Sequence, residues 1–251
     1  MNVKLINGNS LEILEKMDDE SVDLIITDPP YNISKRGNIQ IKGSSDIMMN
    51  FGEWDFFKTE NDYFDFTNKW VSECCRILKE NGWFYVFFDY KKLWMLEFIT
   101  NDADVMMRTL FTWVKLNPAT SFRKYNWRSS IETVWVGSKG ECRIPNFLSQ
   151  KEMVNYMITP CRCNYKETEH LNEKPMKITD LFVKTSSNIG DTVLDPFMGS
   201  GSVGASAVKL NRNFIGIDLD EKWVEVAKKR IEKYRTEFLK KEEFKSTIID
   251  I

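Results

Sequence analysis

The tetrapeptide Asp28-Pro29-Pro30-Tyr31 stands directly after the apolar run SVDLIIT (residues 21–27), so a carboxylate, two stiffened carbonyls and an aromatic ring come together where a strand should end. Two successive prolines fix φ and remove two amide donors, leaving carbonyl oxygens to dominate the local backbone. An ionised carboxylate only accepts hydrogen bonds, and a tyrosine face packs on planar groups. The set suits a planar heterocycle bearing an amino group: two acceptors take the amino hydrogens while the ring lies on Tyr31. A plain Pro-Pro turn that ends a strand accounts for the prolines but gives the carboxylate and the ring nothing to do.

A second cluster, Leu194-Asp195-Pro196-Phe197-Met198-Gly199-Ser200-Gly201, again joins an apolar run to a turn and then to helix-like spacing over residues 203–210. Glycines there let the backbone approach a ligand closely and open the N-terminus of the helix. Asp218 ends the next apolar run, IGID, and an acid about 20 residues beyond such a turn is the usual partner of ribose hydroxyls in a nucleotide-binding βαβ unit. The spacing Gly199-x-Gly201-x-x-Gly204 is led by DPFM, unlike a dinucleotide fingerprint, so an NAD-type site stands only as a lesser alternative.

Both clusters need strands to hold them. Apolar runs at residues 22–27, 83–88, 110–116, 132–137, 192–197 and 213–218, with 3–6 as a seventh, alternate with helix-like spacing at 10–17, 66–80, 175–187, 203–210 and 221–238. That rhythm predicts an α/β fold: a doubly wound, mostly parallel seven-stranded sheet covered on both faces. In such sheets ligands gather at the carboxyl ends of the strands, where both clusters fall. Residues 32–65 and 138–171 break the rhythm, and long connections of that kind are usually functional. We expect one domain over residues 1–251, with 32–65 as an active-site loop and 138–171 as a small insertion.

The composition, 42% hydrophobic and 29% charged, excludes fibrous and wholly disordered classes. No apolar stretch is long enough to cross a membrane and the opening MNVKLINGNS has no apolar signal region, so a cytoplasmic protein is expected. A net charge of -2 argues against coating nucleic acid by bulk charge and leaves room for a local basic face. Five cysteines, two of them adjacent at Cys74 and Cys75, suit reduced thiols. Cys142, Cys161, Cys163 and His170 lack the spacing of a zinc site, and no metal is expected.

DPPY early and DPFMGSG late, together with INGNSLEILEKMDDESVDLIITDPPY, the EKP-led helix-like segment before DPFMGSG and the ending IGIDLDEKWVEVAKKRI, resemble the permuted β class of DNA amino-methyltransferases. The resemblance implies a circularly permuted Rossmann-like methyltransferase fold and S-adenosylmethionine as cofactor. It also implies methyl transfer to the 6-amino group of adenine in double-stranded DNA, by base flipping and direct transfer. On it, Asp28, Pro29, Pro30 and Tyr31 are the catalytic set. Asn9, Asp28, Lys174, Asp195, Phe197, Gly199, Ser200, Gly201 and Asp218 bind the cofactor. Within this, Asp195 takes its ammonium, Asp218 its ribose, Asn9 its adenine edge and Lys174 its carboxylate. Asn9 and Glu173 depart from the acid and the Gln common in the family; Glu173 is left unassigned.

Flipping a base requires grip on phosphates. The segment KLNPATSFRKYNWR interleaves Lys115, Arg123, Lys124 and Arg128 with Tyr125 and Trp127 and holds no acid, and Lys35 and Arg36 follow the catalytic turn. The rival readings are a cytosine 4-amino methyltransferase, in which Ser more often stands at the position of Asp28, a protein glutamine methyltransferase, and a catalytically silent nucleic-acid-binding relative. Family members often pair as homodimers, and restriction–modification systems add a cognate restriction endonuclease; the sequence leaves both open. The target site should be set by residues 138–171 with the basic aromatic loop.

Overall fold

The structure is a computed structural model that describes residues 1–32, 57–118, 127–160, 168 and 173–249, with side chains to residue 241. In chain order the elements are β1 (Val3–Asn7), α1 (Ser10–Leu14), β2 (Val22–Thr27), α2 (Glu60–Ile77), β3 (Leu78–Phe88), α3 (Leu93–Thr100), β4 (Val105–Lys115), β5 (Ile131–Lys139), β6 (Tyr156–Thr159), α4 (Met176–Ser186), β7 (Thr192–Asp195), α5 (Ser202–Lys209), β8 (Asn213–Asp218) and α6 (Glu221–Ile249). Among the described residues the strands form one sheet in the order β1-β8-β7-β2-β3-β5-β4-β6. β5 runs antiparallel to both its neighbours, β3 and β4, while the other pairings are parallel.

The apolar runs are continuous because both faces of the sheet are covered, and successive residues feed opposite cores. Leu24 and Ile26 of β2 with Trp83, Tyr85 and Phe87 of β3 join one core with Phe182, Val208 and Ile231 of α4, α5 and α6. Ile25, Phe84, Val86 and Phe88 join the other, under Leu14, Trp70 and Leu96 of α1, α2 and α3. After β2 the chain crosses through α2 to β3 on one side; after β7 it crosses through α5 to β8 on the other. β2 and β7 are adjacent, so the switch point of the fold lies between them.

Several boundaries differ from the sequence reading. An eighth strand, β6, comes from within the 138–171 segment and pairs parallel to β4 at the sheet edge. α3 is a further helix: its LWMLEFIT is apolar nearly all round and lacks a clear stripe. α2 begins at Glu60, inside the expected 32–65 loop, because Thr59 and Asp62 form a reciprocal capping box. β3 starts at Leu78, inside the expected 66–80 helix, and Asn81, at φ 67°, bulges within it: Val22 pairs with Leu78 but Leu24 with Trp83. α6 continues to Ile249, past residue 238 where the helix-like spacing ends, through a run of strong helix formers.

The glycine turn is packed as tightly as the strands it joins. A Cβ at Gly204 would stand 2.5 Å from Ile231 Cδ1 and 2.5 Å from Phe214 Cε1, so α5 approaches β8 and α6 as closely as a hydrogen atom permits. Gly204→Ala should destabilise the fold by about 1–3 kcal/mol, seen as a lower urea midpoint with an unchanged slope.

Candidate active site

The two clusters meet across the switch point. Asp28 follows β2 and Asp195 ends β7, and Thr27 Oγ1 donates to Asp195 Oδ1 at 3.0 Å, tying the strand ends together. Ser10 Oγ of α1 reaches the Pro196 carbonyl at 2.5 Å. Both strand ends open on one cavity of about 930 Å³, whose walls include Asn9, Asp28, Tyr31, Lys174, Asp195 and Asp218. That is at the upper end of small-molecule sites, roughly 300–1,000 Å³.

On the β7 side, Gly199 and Gly201 both take positive φ, 47° and 75°, which a side chain would resist. This turn aims the Gly199 amide at Asp218 Oδ2, 2.9 Å away, and the Asp220 amide donates to Oδ1 at 3.0 Å. Asp195 is 3% exposed. Its donors are neutral: the Thr27 hydroxyl and, at 3.1 Å, the Phe197 amide. No cation among the described residues pairs with it, and burial pushes its carboxyl up to about 8. Burial also raises Asp218, against its two amide bonds. Phe197 is held edge-on against Trp70, with ring centroids 5.6 Å apart, and borders the same cavity. Asn9 caps α1, its Oδ1 taking the Leu11 amide at 3.0 Å.

On the β2 side, Tyr31 donates its hydroxyl to Asp28 Oδ1 at 2.5 Å, and Lys174 Nζ lies 2.5 Å from Asp28 Oδ2. Tyr63 of α2 holds the turn from beneath by donating to the Pro30 carbonyl at 2.9 Å, and Lys92 Nζ donates to the Tyr31 carbonyl at 2.9 Å. Lys174 also stands 3.3 Å from Glu132 Oε2, whose other oxygen accepts from Lys115 Nζ at 2.5 Å. Burial raises Asp28 and Lys174 partly offsets it. Burial likewise pushes Glu132 up, but Lys174 and Lys115 overturn it, leaving that carboxyl below its usual range. The Tyr31 phenol is held well above its ordinary value by burial and by the Asp28 charge.

A cavity at the switch point of a doubly wound sheet, with two carboxylate clusters in permuted order around it, has counterparts among known proteins. Residues 22–229 match the DNA methylase family N6_N4_Mtase.

The chain is a DNA methylase of this family.

The methylase is 30% identical over 244 residues to the type II methyltransferase M.HinfI of Haemophilus influenzae, covering 90% of this chain and 67% of that protein. It is 27% identical over 241 residues to M2.MboI of Moraxella bovis, covering 91% and 87%. Two solved structures share the fold: the M1.HpyAVI–SAM complex (TM-score 0.72, 21% identity, 91% of this chain and 98% of that one) and the PvuII cytosine-N4-specific DNA methyltransferase (TM-score 0.72, 20% identity, 96% and 93%).

Of the residues singled out in the sequence, Asn9, Asp28, Pro29, Pro30, Tyr31, Lys174, Asp195, Phe197, Gly199, Ser200 and Asp218 all border the one cavity, and Gly201 shapes its turn. Two lysines are placed otherwise than expected. Lys174 meets Asp28 and Glu132, since the approach to α4 brings it over the end of β2. Lys115 turns inward to Glu132, opposite which the strand register sets Trp113. Trp127 is 95% exposed and Arg128 donates to the Pro118 carbonyl. Lys35, Arg36, Arg123, Lys124 and Tyr125 lie outside the described residues, as do Cys161, Cys163 and His170. The sequence reading missed Glu132; its one signal is an acid at the head of the otherwise apolar run ETVWVG. It also left Glu173 without a partner, and the structure supplies one in Arg230 of α6, 2.8 Å away.

A carboxyl held near 8 when folded and near 4 when unfolded binds a proton on folding, so stability from this group is full below about pH 4 and is lost as pH rises toward 8. Asp195→Asn should therefore flatten the pH dependence of the ligand-free melting temperature between pH 5 and 8 in scanning calorimetry. At pH 8 it should raise that temperature by about 2 °C or more.

Proposed function

We propose that this DNA methylase transfers a methyl group from S-adenosylmethionine to the 6-amino group of adenine in duplex DNA, with the base flipped into the cavity. The observation that carries this reading is that Asp28 and Asp195 open on one cavity from adjacent strand ends. Asp195, buried with neutral donors only, suits the cofactor ammonium, which would relieve its raised carboxyl. Asp218 retains lone pairs beyond the two amide bonds for ribose hydroxyls, Asn9 offers an amide edge to adenine, and Phe197, Gly199, Ser200 and Gly201 form the wall. When bound, the cofactor supplies an electrophilic methyl group on sulfur.

The chain's own part is to make a poor nucleophile better. The adenine amino nitrogen has its lone pair delocalised into the ring; acceptance of its two hydrogens by Asp28 and the Pro29 carbonyl concentrates that pair on nitrogen and aims it. Tyr31 stacks on the base. Trp127 and Arg128, with Lys35, Arg36, Arg123, Lys124 and Tyr125, grip the phosphates, and the 138–171 segment reads the target. On the same reading the chain works in the cytoplasm beside a cognate restriction endonuclease. It pairs as a homodimer, for which exposed Trp94 and Phe98 of α3 supply an apolar face. No helix among the described residues is long and apolar enough to cross a membrane.

The second reading is transfer to the 4-amino group of cytosine, which offers the same pair of hydrogens beside a ring nitrogen; the PvuII relative carries that specificity in its name. Nucleoside mass spectrometry on DNA from cells expressing the chain separates the two: N6-methyladenine is expected, and N4-methylcytosine in its place would overturn the base assignment. Asp28→Ala should lower kcat by about a hundredfold or more while the Kd for S-adenosylmethionine stays within about threefold.

A further inference from the structure

The cavity contains more charge than methyl transfer by Asp28 alone requires. Lys115, Glu132, Lys174 and Asp28 alternate in sign along one wall, drawn from β4, β5, the lead into α4 and the end of β2. β5 runs antiparallel to β3, so the start of β5, with Glu132, lies at the edge where β2 and β4 end. The Lys174 side chain is 10% exposed, sits 5.1 Å over the ring of Phe87 and points at Asp28. Its contact with Glu132 lacks hydrogen-bond geometry, which leaves Glu132 Oε2 buried with only the ion pair. The residue before it is anchored: Glu173 pairs with Arg230, 4% exposed, whose Nη1 donates to Ser202 Oγ at the start of α5, just after the glycine turn, at 2.9 Å. The backbone that delivers Lys174 is thus braced against the cofactor side of the cavity.

We propose that Lys174 is a positioning residue, steered by Glu132, that holds Asp28 as an inward-facing carboxylate able to accept the target amino hydrogens. Without a cation, a partly buried carboxyl shifts toward its protonated form, and a protonated Asp28 would present a donor where an acceptor is needed. Lys174 supplies the cation, and Glu132 sets how much of it Asp28 receives: the Glu132 charge both attracts the ammonium and repels the Asp28 charge. Among the described residues, the other groups facing Asp28 are the Tyr31 hydroxyl and Asp195 across the cavity; Lys115 stands behind Glu132, and Lys92 and Tyr63 hold the turn through its carbonyls. This role rests on the methyl-transfer reading of Asp28 and differs from an ionic contact of Lys174 with the cofactor.

The opposed effects give the test. In kcat against pH, K174M should move the acidic limb upward by about one pH unit or more, and E132Q should move it downward, since removing the Glu132 charge ends both its repulsion of Asp28 and its competing pull on the Lys174 ammonium. K174R should return the limb toward that of the parent protein. Cofactor binding by calorimetry should stay within about threefold in K174M. Infrared difference spectra of the ligand-free protein, with D28N as the blank, should show the carboxylic-acid stretch persisting to higher pH in K174M and to lower pH in E132Q, a readout that needs no turnover. Limbs and infrared titrations that stay in place, or that move together in both variants, would overturn the inference, as would a K174M defect confined to cofactor affinity. A parent protein that methylates neither base overturns the methyl-transfer reading and this inference with it; a methylating parent whose K174M titrates unchanged overturns the inference alone.

Discussion

Withholding water from carboxylates at the carboxyl end of the sheet is the constraint around which the molecule is arranged. Asp28, Asp195 and Asp218 each have a carboxyl raised by burial, and each is compensated differently. Asp28 has a cation and a phenol, Asp218 has two amides, and Asp195 has only neutral donors. Asp195, nearly fully buried and with no cation among the described residues, costs the ligand-free fold stability while it is ionised.

Sheet topology brings these groups together more than any single motif does. The crossovers after β2 and β7 leave in opposite directions, so a crevice opens between two strands that are themselves in register. Short bonds then lock the two halves: Thr27 to Asp195, Ser10 to the Pro196 carbonyl, the Met198 amide to the Ile217 carbonyl at 2.9 Å. Arg230 extends the brace from α6 to both the glycine turn and Glu173. A site built this way is held by rigid elements at both strand ends.

The antiparallel β5 has a separate consequence. In a wholly parallel sheet the amino ends of strands point away from the ligand crevice and their residues serve stability. Reversing one strand brings its first residues to the crevice, and Glu132 arrives there with Lys115 from the end of β4. The sheet thereby gains a charge pair that no βαβ unit would place in the site.

What the sequence determined by itself is contiguous in the chain. DPPY and DPFMGSG each carry their chemistry within a few neighbouring residues, and the apolar runs that end in them have to be buried on both faces; the fold class, the cavity wall and the family resemblance follow from local order and period. Capping at Thr59 was also available in the sequence, as a reciprocal box with Asp in the acid position. Tertiary structure alone decided the Lys115–Glu132–Lys174–Asp28 chain and the Glu173–Arg230 brace. An acid at the head of an apolar strand has the same local pattern whether it faces solvent or a cleft, and a side-chain period of two is the same for a strand running either way. Only the pairing of β5 with β3 fixes its direction, and with it which charges share the cavity.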